Sequence, residues 1–213
     1  MVIEPLHHLK PAAPKSMTPP STLVLASSSR YRRELLQRLG LPFSVDTPEI
    51  DEGRLRDESP ADLATRLAIA KATAVGARWP AALVIGSDQV AAVDGTFLGK
   101  PGTTANAVRQ LQQTSGKRVD FMTGICLLNT ATGRQQAALV CYSVFFRRLT
   151  DEQIRRYVER ERPLDCSGAF KSEGLGAALV ERSTGDDPGA LIGLPLYRLV
   201  QMLDNEGIDV LSV

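Results

Sequence analysis

The hydrophobic positions of this chain fall into short continuous runs and into segments with helical spacing, so both strands and helices are expected. Continuous apolar runs at 22–26 and 82–85 predict buried strands. Residues 30–39 place leucines on one face of a predicted helix, which Gly40 would end. Further strands are predicted at 43–45, 90–93, 96–98, 119–129, 136–146 and 179–181, and further helices from Pro60 onward and at 104–114, 150–158 and 194–203. Because the elements mix without strict alternation, we expect an α/β fold with a mixed twisted sheet flanked by helices.

The first twenty residues lack both patterns. They contain prolines that block regular structure, namely Pro5, Pro11, Pro14, Pro19 and Pro20. We therefore expect residues 1–20 to be a flexible N-terminal extension. A chain of 213 residues can bury a substantial core, so residues 21–213 are expected to form one domain or two closely packed lobes.

Charge and composition narrow the class of protein. The formal net charge of +1 gives no global basic field, so no nucleic-acid partner is expected. No apolar run approaches the roughly 20 residues that cross a bilayer, and the leader has no apolar signal-peptide core, so no membrane partner is expected. Three cysteines without a CxxC pair favour a reducing, cytoplasmic setting, with Cys126 and Cys141 as buried core residues.

Histidine usage limits the possible chemistry. The two histidines, His7 and His8, both lie in the predicted extension. The body of the chain therefore has no histidine for a Ser-His-Asp or Cys-His arrangement or for a metal ligand. Acid–base work must fall to carboxylates, lysines, tyrosines or a metal-bound water.

Polar segments follow two of the predicted buried strands. Segment 27–33 (SSSRYRR) places hydroxyls and arginines at a helix N-terminus, which suits a phosphate group. An ordinary capped helix with solvated arginines is the alternative. Asp88 is expected at the C-terminal end of the 82–85 strand, where α/β proteins commonly hold metal ligands and bases. The alternative for Asp88 is a residue that caps a turn or a helix.

Dispersed lysines and one glycine-rich loop add further candidates. Lys71 is expected near the exposed side of its helix, and Lys100 and Lys171 adjoin turn residues. Each lysine could contact phosphate or simply be solvated. Segment 167–176 combines glycines with Lys171 and Glu173, so it could bend closely around a ligand or serve as a mobile surface connection.

Taken in order along the chain, these segments resemble the Maf family of nucleotide pyrophosphatases. The resemblance runs from about residue 22 to the C-terminus. The matching segments are 25–36 (LASSSRYRRELL), Asp51-Glu52, 58–72, 86–90 (GSDQV), 99–101 (GKP), Thr123-Gly124, 163–168 and 192–195 (IGLP).

The resemblance implies hydrolysis of the α–β phosphoanhydride of a nucleoside triphosphate, and it implies a divalent metal cation (Mg, Mn or Co). It also implies two lobes with a deep cleft, similar to inosine triphosphate pyrophosphatases. Asp88 matches the family's proton acceptor, and Glu52 matches a carboxylate that would join Asp88 near the metal. The substrate-binding positions implied by the resemblance are Ser27, Arg32, Arg33, Lys71, Lys100 and Lys171.

One branch of the family, associated with 7-methyl-GTP, resembles this chain more closely. Gln89 after the catalytic Asp and Glu173 in the late loop match that branch, and Tyr31 stands where the branch commonly has Trp. A 7-methylated guanine carries positive charge, so stacking on Tyr31 would gain about 0.5–2 kcal/mol. Glu173 could accept hydrogen bonds from the N1–H and N2–H edge of that base.

Two other functions stay open on the sequence. The chain could be a Maf pyrophosphatase that acts on dTTP, UTP or other non-standard nucleotides. It could also be a non-catalytic, nucleotide-binding regulator of cell division, although a pure binder would not need both Glu52 and Asp88 near a triphosphate. The resemblance further implies a possible homodimer.

Overall fold

The computed structural model describes residues 22–212, so the predicted extension at 1–20, with both histidines, lies outside the described residues. The strands are β1 (Thr22–Ala26), β2 (Phe43–Asp46), β3 (Ala82–Val93), β4 (Thr96–Leu98), β5 (Arg118–Asn129), β6 (Gln135–Phe146) and β7 (Val180–Thr184). The helices are α1 (Arg30–Gln37), α2 (Pro60–Gly76), α3 (Thr104–Thr114), α4 (Asp151–Glu161), α5 (Pro188–Ile192) and α6 (Leu196–Asp204), with 3-10 turns at Ser167–Ala169 and Leu175–Leu179.

A single seven-stranded sheet organises the fold. Its strand order is β2-β1-β3-β5-β6-β7, and β4 pairs with β3 beside this path. The β2-β1-β3 part is parallel, whereas β3, β5, β6 and β7 pair in antiparallel fashion. The predicted α/β fold with a mixed sheet flanked by helices is therefore confirmed.

The core lies on both faces of the sheet because strand side chains alternate. Along β1, Leu23 and Leu25 pack with residues of α1 and α6, whereas Val24 and Ala26 pack with residues of α2. A further apolar cluster, which includes Phe121, fills the part of the molecule around α3 and α4. The apolar core is thus divided into clusters along the long strands, in keeping with two closely packed lobes.

Strand β3 is longer than the sequence predicts. Two strands at 82–85 and 90–93, separated by a polar turn, were the expectation, and this is wrong. Strand β5 pairs with β3 from Leu83 to Ala92, so the ladder carries the polar residues through without a break. Strand β1 stops earlier, at the pair Ala26–Gly86. Asp88 therefore lies in the middle of its strand but just past the end of the parallel pairing.

Two glycines let helix α2 lie directly against the sheet backbone. A Cβ atom at Gly86 would lie 2.1 Å from the carbonyl oxygen of Ala68, and one at Gly124 would lie 2.2 Å from that of Ala64. This close approach buries Lys71, which is only 5% exposed. The expectation that Lys71 lies near the exposed side of its helix is therefore wrong.

Side-chain caps begin helices α2 and α4. Ser59 accepts a hydrogen bond from the Asp62 amide with Pro60 at the first helical position, and Thr150 forms a capping box with Gln153. The short helix α5 was not predicted, because five residues are too few to show a helical period.

The cysteines divide between the core and the surface. Cys126 is buried as expected, but Cys141 is exposed, so the prediction of a buried Cys141 is wrong. Strand β7 pairs only with the last four residues of β6, which leaves the part of β6 that carries Cys141 at the edge of the sheet. Within residues 22–212, no helix has the length and apolar character needed to cross a membrane.

Candidate active site

A cleft of about 650 Å³ gathers most of the predicted site residues. Its walls come from the turn between β1 and α1, the loop after β2, helix α2, the middle of β3, the turn after β4, the loop at 165–173 and the end of α5. The predicted residues that line it are Ser27, Tyr31, Arg32, Glu52, Lys71, Asp88, Gln89, Lys100 and Glu173. Arg33 and Lys171 do not line this cleft.

Lys71 joins two carboxylates that lie far apart in the sequence. Its Nζ atom lies 2.6 Å from Asp88 Oδ1 and 2.8 Å from Glu52 Oε1. The Lys71 and Asp88 side chains are almost buried, whereas that of Glu52 is 57% exposed. Each carboxylate keeps a second oxygen that Lys71 does not hold, so both acids remain able to accept further ligands or protons.

The charges around Glu52 hold it in its ionised form. Burial, the largest single effect, would raise the pKa of Glu52, and the hydrogen bond and charge of Lys71 act against it. Lys100 and Arg32 contribute smaller shifts in the same direction, and the pKa of Glu52 falls below its ordinary value. The carboxylate is therefore charged at neutral pH.

Arg32 reaches the same group of charges from helix α1. Its Nε donates to the carbonyl oxygen of Gly193 at 2.8 Å, and its Nη1 donates to Ser27 Oγ at 3.3 Å. Burial lowers the pKa of Arg32, and the charges of Asp88 and Glu52 oppose that shift. Two of the guanidinium nitrogens are thus fixed by the protein, and among residues 22–212 the Nη2 atom has no hydrogen-bond partner.

Lys100 completes this charged part of the cleft. It is exposed in the turn that follows β4, and its side chain makes no hydrogen bond or ion pair within the described residues. Five residues thus form what we call the ion-pair group, namely Arg32, Glu52, Lys71, Asp88 and Lys100.

Gln89 holds helix α5 in place. Its Nε2 atom donates to the carbonyl oxygens of Ala190 at 2.7 Å and Leu191 at 3.0 Å, and lies 3.3 Å from Thr123 Oγ1. Both amide hydrogens are therefore used on the protein. The side-chain carbonyl oxygen is the polar atom of Gln89 that remains for a ligand.

Tyr31 lies among charged and polar neighbours. Its hydroxyl accepts a hydrogen bond from Arg30 Nη2 at 2.7 Å and lies 3.4 Å from both carboxylate oxygens of Asp165. Burial is the largest effect on the pKa of Tyr31 and raises it, so the hydroxyl stays protonated. Burial likewise raises the pKa of the neighbouring Cys166 thiol to about 12, so it is not a nucleophile at neutral pH.

The loop at 165–173 places Glu173 in the wall of the cleft, whereas Lys171 lies outside the cleft. Lys171 forms an ion pair with Glu161 of α4, and that carboxylate also accepts from the backbone amide of Leu175. Lys171 therefore fixes the loop that carries Glu173. Arg33 is exposed and does not join the cleft. We call Arg30, Tyr31, Asp165 and Glu173 the aromatic group.

A known protein family matches most of this chain. The family model described as "Maf-like protein" matches residues 22–206. The chain belongs to the Maf family. The segments of this Maf chain on which the sequence resemblance rested bring Ser27, Glu52, Lys71, Asp88 and Lys100 to one cleft.

Relatives named for an enzymatic activity are similar over nearly their whole length. A protein of Pseudomonas aeruginosa named "7-methyl-GTP pyrophosphatase" is 55% identical over 188 residues, covering 88% of this Maf chain and 98% of that protein. One of Nitrosococcus oceani with the same name is 54% identical over 192 residues, covering 90% and 96%. A solved structure, "The structure of the Staphylococcus aureus Ham1 protein", is 17% identical with a TM-score of 0.49, covering 87% of this chain and 100% of that one.

Some residues that shape the site of this Maf chain were not singled out by the sequence. Ser87 Oγ lies within hydrogen-bond distance of the carbonyl oxygens of Gly124 and Gly193, which ties β3 to the residue that anchors Arg32. Asp187 caps α5 and also accepts from the first amides of α6. An Asp-Pro pair at 187–188 is a helix-start signal that could have revealed α5. Asp165 lies in the 163–168 segment that resembles the family, but nothing in the sequence marked it as a site residue.

Proposed function

We propose that this Maf chain hydrolyses the α–β phosphoanhydride of 7-methyl-GTP to 7-methyl-GMP and pyrophosphate. The observation that carries the proposal is the meeting of Asp88 and Glu52 at Lys71 inside a cleft that also holds Arg32 and Lys100. Carboxylates beside several cations suit a reaction in which water attacks a polyphosphate. The choice of 7-methyl-GTP as substrate is supported by the names of relatives at 54–55% identity.

Asp88 is the proton acceptor in this mechanism. Lys71 holds its Oδ1 atom, which leaves the other carboxylate oxygen to accept a proton. A water oxygen bonds to the α-phosphorus while the bond from that phosphorus to the α–β bridging oxygen breaks. The proton of the water passes to Asp88, and pyrophosphate leaves.

The cations of the ion-pair group bind the polyphosphate. Arg32 is oriented by Gly193 and Ser27, so its remaining N–H donors are already directed when substrate arrives. Within the described part of the chain, Lys100 makes no hydrogen bond or ion pair that substrate binding would have to break. Lys71 adds a further basic side chain next to Asp88. Together these groups offset the negative charge that develops on the leaving pyrophosphate.

A divalent cation fits the donor set, and Glu52 and Asp88 would hold it. Within residues 22–212 no cluster of three or more candidate metal ligands is present, so the protein would offer two carboxylates. That number suits Mg²⁺, Mn²⁺ or Co²⁺, because such ions at phosphate sites keep waters and phosphate oxygens as their remaining ligands. When bound, the cation would neutralise the triphosphate and make a water more acidic.

The aromatic group and Gln89 would select the base. Tyr31 offers a ring for a cationic purine, and Glu173 offers a carboxylate for the N1–H and N2–H edge. Gln89 contributes its free carbonyl oxygen and, by holding α5, the wall formed by Leu191 and Ile192.

The experiment is incubation of the full chain with single nucleotides and each of the three metals, followed by ion-exchange analysis of the products. We expect 7-methyl-GMP and pyrophosphate in equal amounts from 7-methyl-GTP. Release of orthophosphate would contradict cleavage of the α–β bond. Faster turnover of dTTP or UTP would favour the alternative Maf activity, and no metal-dependent turnover of any nucleotide would favour a binding regulator. The homodimer stays a prediction, which light scattering would measure.

A further inference from the structure

A planar cation of the chain itself, the guanidinium of Arg30, lies over the ring of Tyr31. The guanidinium carbon of Arg30 lies 4.6 Å from the centroid of the Tyr31 ring. Its Nη2 atom donates to the Tyr31 hydroxyl at 2.7 Å. This distance is within the range in which a cation over an aromatic face is attracted to it. Tyr31 therefore holds a flat, delocalised cation supplied by its own chain.

Asp165 supplies a negative charge at the same place. Its two carboxylate oxygens lie 3.4 Å from the Tyr31 hydroxyl, and the carboxylate is close enough to Arg30 to stabilise its charge. All three residues line the cleft. An aromatic ring with a carboxylate at its edge favours a cationic ring over a neutral one, because both contacts depend on positive charge.

A 7-methylguanine ring shares the features that Arg30 brings to this position. Both are planar, both spread a positive charge over several atoms, and both carry N–H donors at one edge. The guanidinium of Arg30 stands in for that ring in the structure. A neutral pyrimidine or guanine has the flat shape without the charge.

We propose that Tyr31 and Asp165 form a subsite for a planar cation, which Arg30 fills until the 7-methylguanine ring of the substrate displaces it. The proposal rests on the proposed function and deepens it. Arg30 then acts as a tethered competitor of the base, and Asp165 acts as a specificity residue. Both roles affect binding of the base and leave the ion-pair group unchanged.

Binding of monophosphates tests the proposal without turnover. The probes are 7-methyl-GMP and GMP, which differ in the ring charge, and the measurement is the Kd of each by calorimetry with the full chain. The variants are Arg30→Gln, which removes the planar cation, and Asp165→Asn, which removes the carboxylate charge at constant shape. Arg38→Gln and Asp204→Asn are matched controls, since both residues are exposed and outside the cleft.

We expect wild-type protein to bind 7-methyl-GMP more tightly than GMP. Arg30→Gln should tighten binding of 7-methyl-GMP by about two- to fivefold, the range of a cation–π contact at an exposed site, and should raise the preference over GMP. Asp165→Asn should lower that preference by a similar factor. The controls should match wild type.

Several results would overturn the proposal. If Arg30→Gln weakens both ligands equally, Arg30 binds phosphate and is no competitor of the base. If Asp165→Asn leaves the preference unchanged, the carboxylate does not read the ring charge. The failure of the proposed function is separate, because a chain that does not hydrolyse 7-methyl-GTP can still show these binding ratios, and an active chain can lack them.

Discussion

The ion-pair group and the aromatic group share one cleft but are held in different ways. Asp88 and Lys71 come from a central strand and from a helix that lies against its backbone, and their side chains are almost buried. Arg30, Asp165 and Glu173 are exposed. Buried groups with fixed partners are preorganised, which suits a reaction step. Exposed groups on a helix start and a loop can change without disturbing the core, which suits selection of a base.

Loss of Asp88, the proposed proton acceptor, should give the largest effect. Asp88→Asn keeps the shape of the side chain but removes its basicity, so we expect kcat to fall at least about a hundredfold with every nucleotide. The melting temperature should change little. Asp94→Asn is the matched control, because Asp94 lies just after the same strand, is exposed, and has a backbone φ of 47° that asparagine tolerates. Near-normal turnover in Asp88→Asn would remove Asp88 from the mechanism.

Crowding between α2 and the sheet should affect stability and the ion-pair group together. In Gly86→Ala the new Cβ would lie 2.1 Å from a backbone oxygen, so α2 must move. We expect a loss of about 1–3 kcal/mol in the free energy of unfolding, typical of overpacking. We also expect reduced kcat, because Lys71 moves with the helix. Gly124→Ala should act in the same direction. Full activity with a lowered melting temperature would show that catalysis does not depend on the position of Lys71.

Release of the late loop should affect the aromatic group alone. In Lys171→Met the ion pair with Glu161 is lost, so Glu173 is held less firmly. We expect KM for 7-methyl-GTP to rise by at least about threefold, within the range for one lost hydrogen bond, while kcat is kept. Glu173→Gln should behave alike. An equal loss with GTP, dTTP and 7-methyl-GTP would instead indicate that Lys171 contacts phosphate.

Acidification should produce the smallest and most local effect. Hydrogen bonds from Arg66 lower the pKa of Glu58 from 4.5 to about 2, and Arg66 also donates to the Gly53 carbonyl beside Glu52. A depressed carboxylate pKa stabilises the fold above pH 4.5, and this contribution is lost as the pH falls toward 2. Urea unfolding across this window should show a shallower decline in Arg66→Met than in wild type. Identical declines would show that the pair does not contribute.

The sequence predicted more about the ion-pair group than about its surroundings. Motif and turn signals marked the turn before α1, for which phosphate binding is proposed, and they also marked Asp88 and Lys100. The burial of Lys71 carried no such signal, because it depends on Gly86 of β3 and Gly124 of β5, two glycines distant in the sequence that let α2 lie against the sheet. The sequence also could not choose between Arg32 and Arg33, since neighbouring helical residues point about 100° apart.

The aromatic group depended still more on tertiary contacts. Tyr31 and Glu173 were recognisable through the family resemblance, but Asp165 joins Tyr31 across more than a hundred residues of chain. Lys171 looked like a phosphate ligand because its loop is rich in glycine, but in the structure it forms an ion pair with Glu161 of α4. Side-chain partners of this kind follow from packing and leave no local pattern.

A direct competition assay tests the central claim most closely. Equal concentrations of 7-methyl-GTP and dTTP are mixed with the full chain and a divalent metal, and the initial ratio of 7-methyl-GMP to dTMP gives the ratio of the two kcat/KM values. The account predicts an excess of 7-methyl-GMP that shrinks in Glu173→Gln. An excess of dTMP from wild-type protein, or equal amounts of both products, would contradict it.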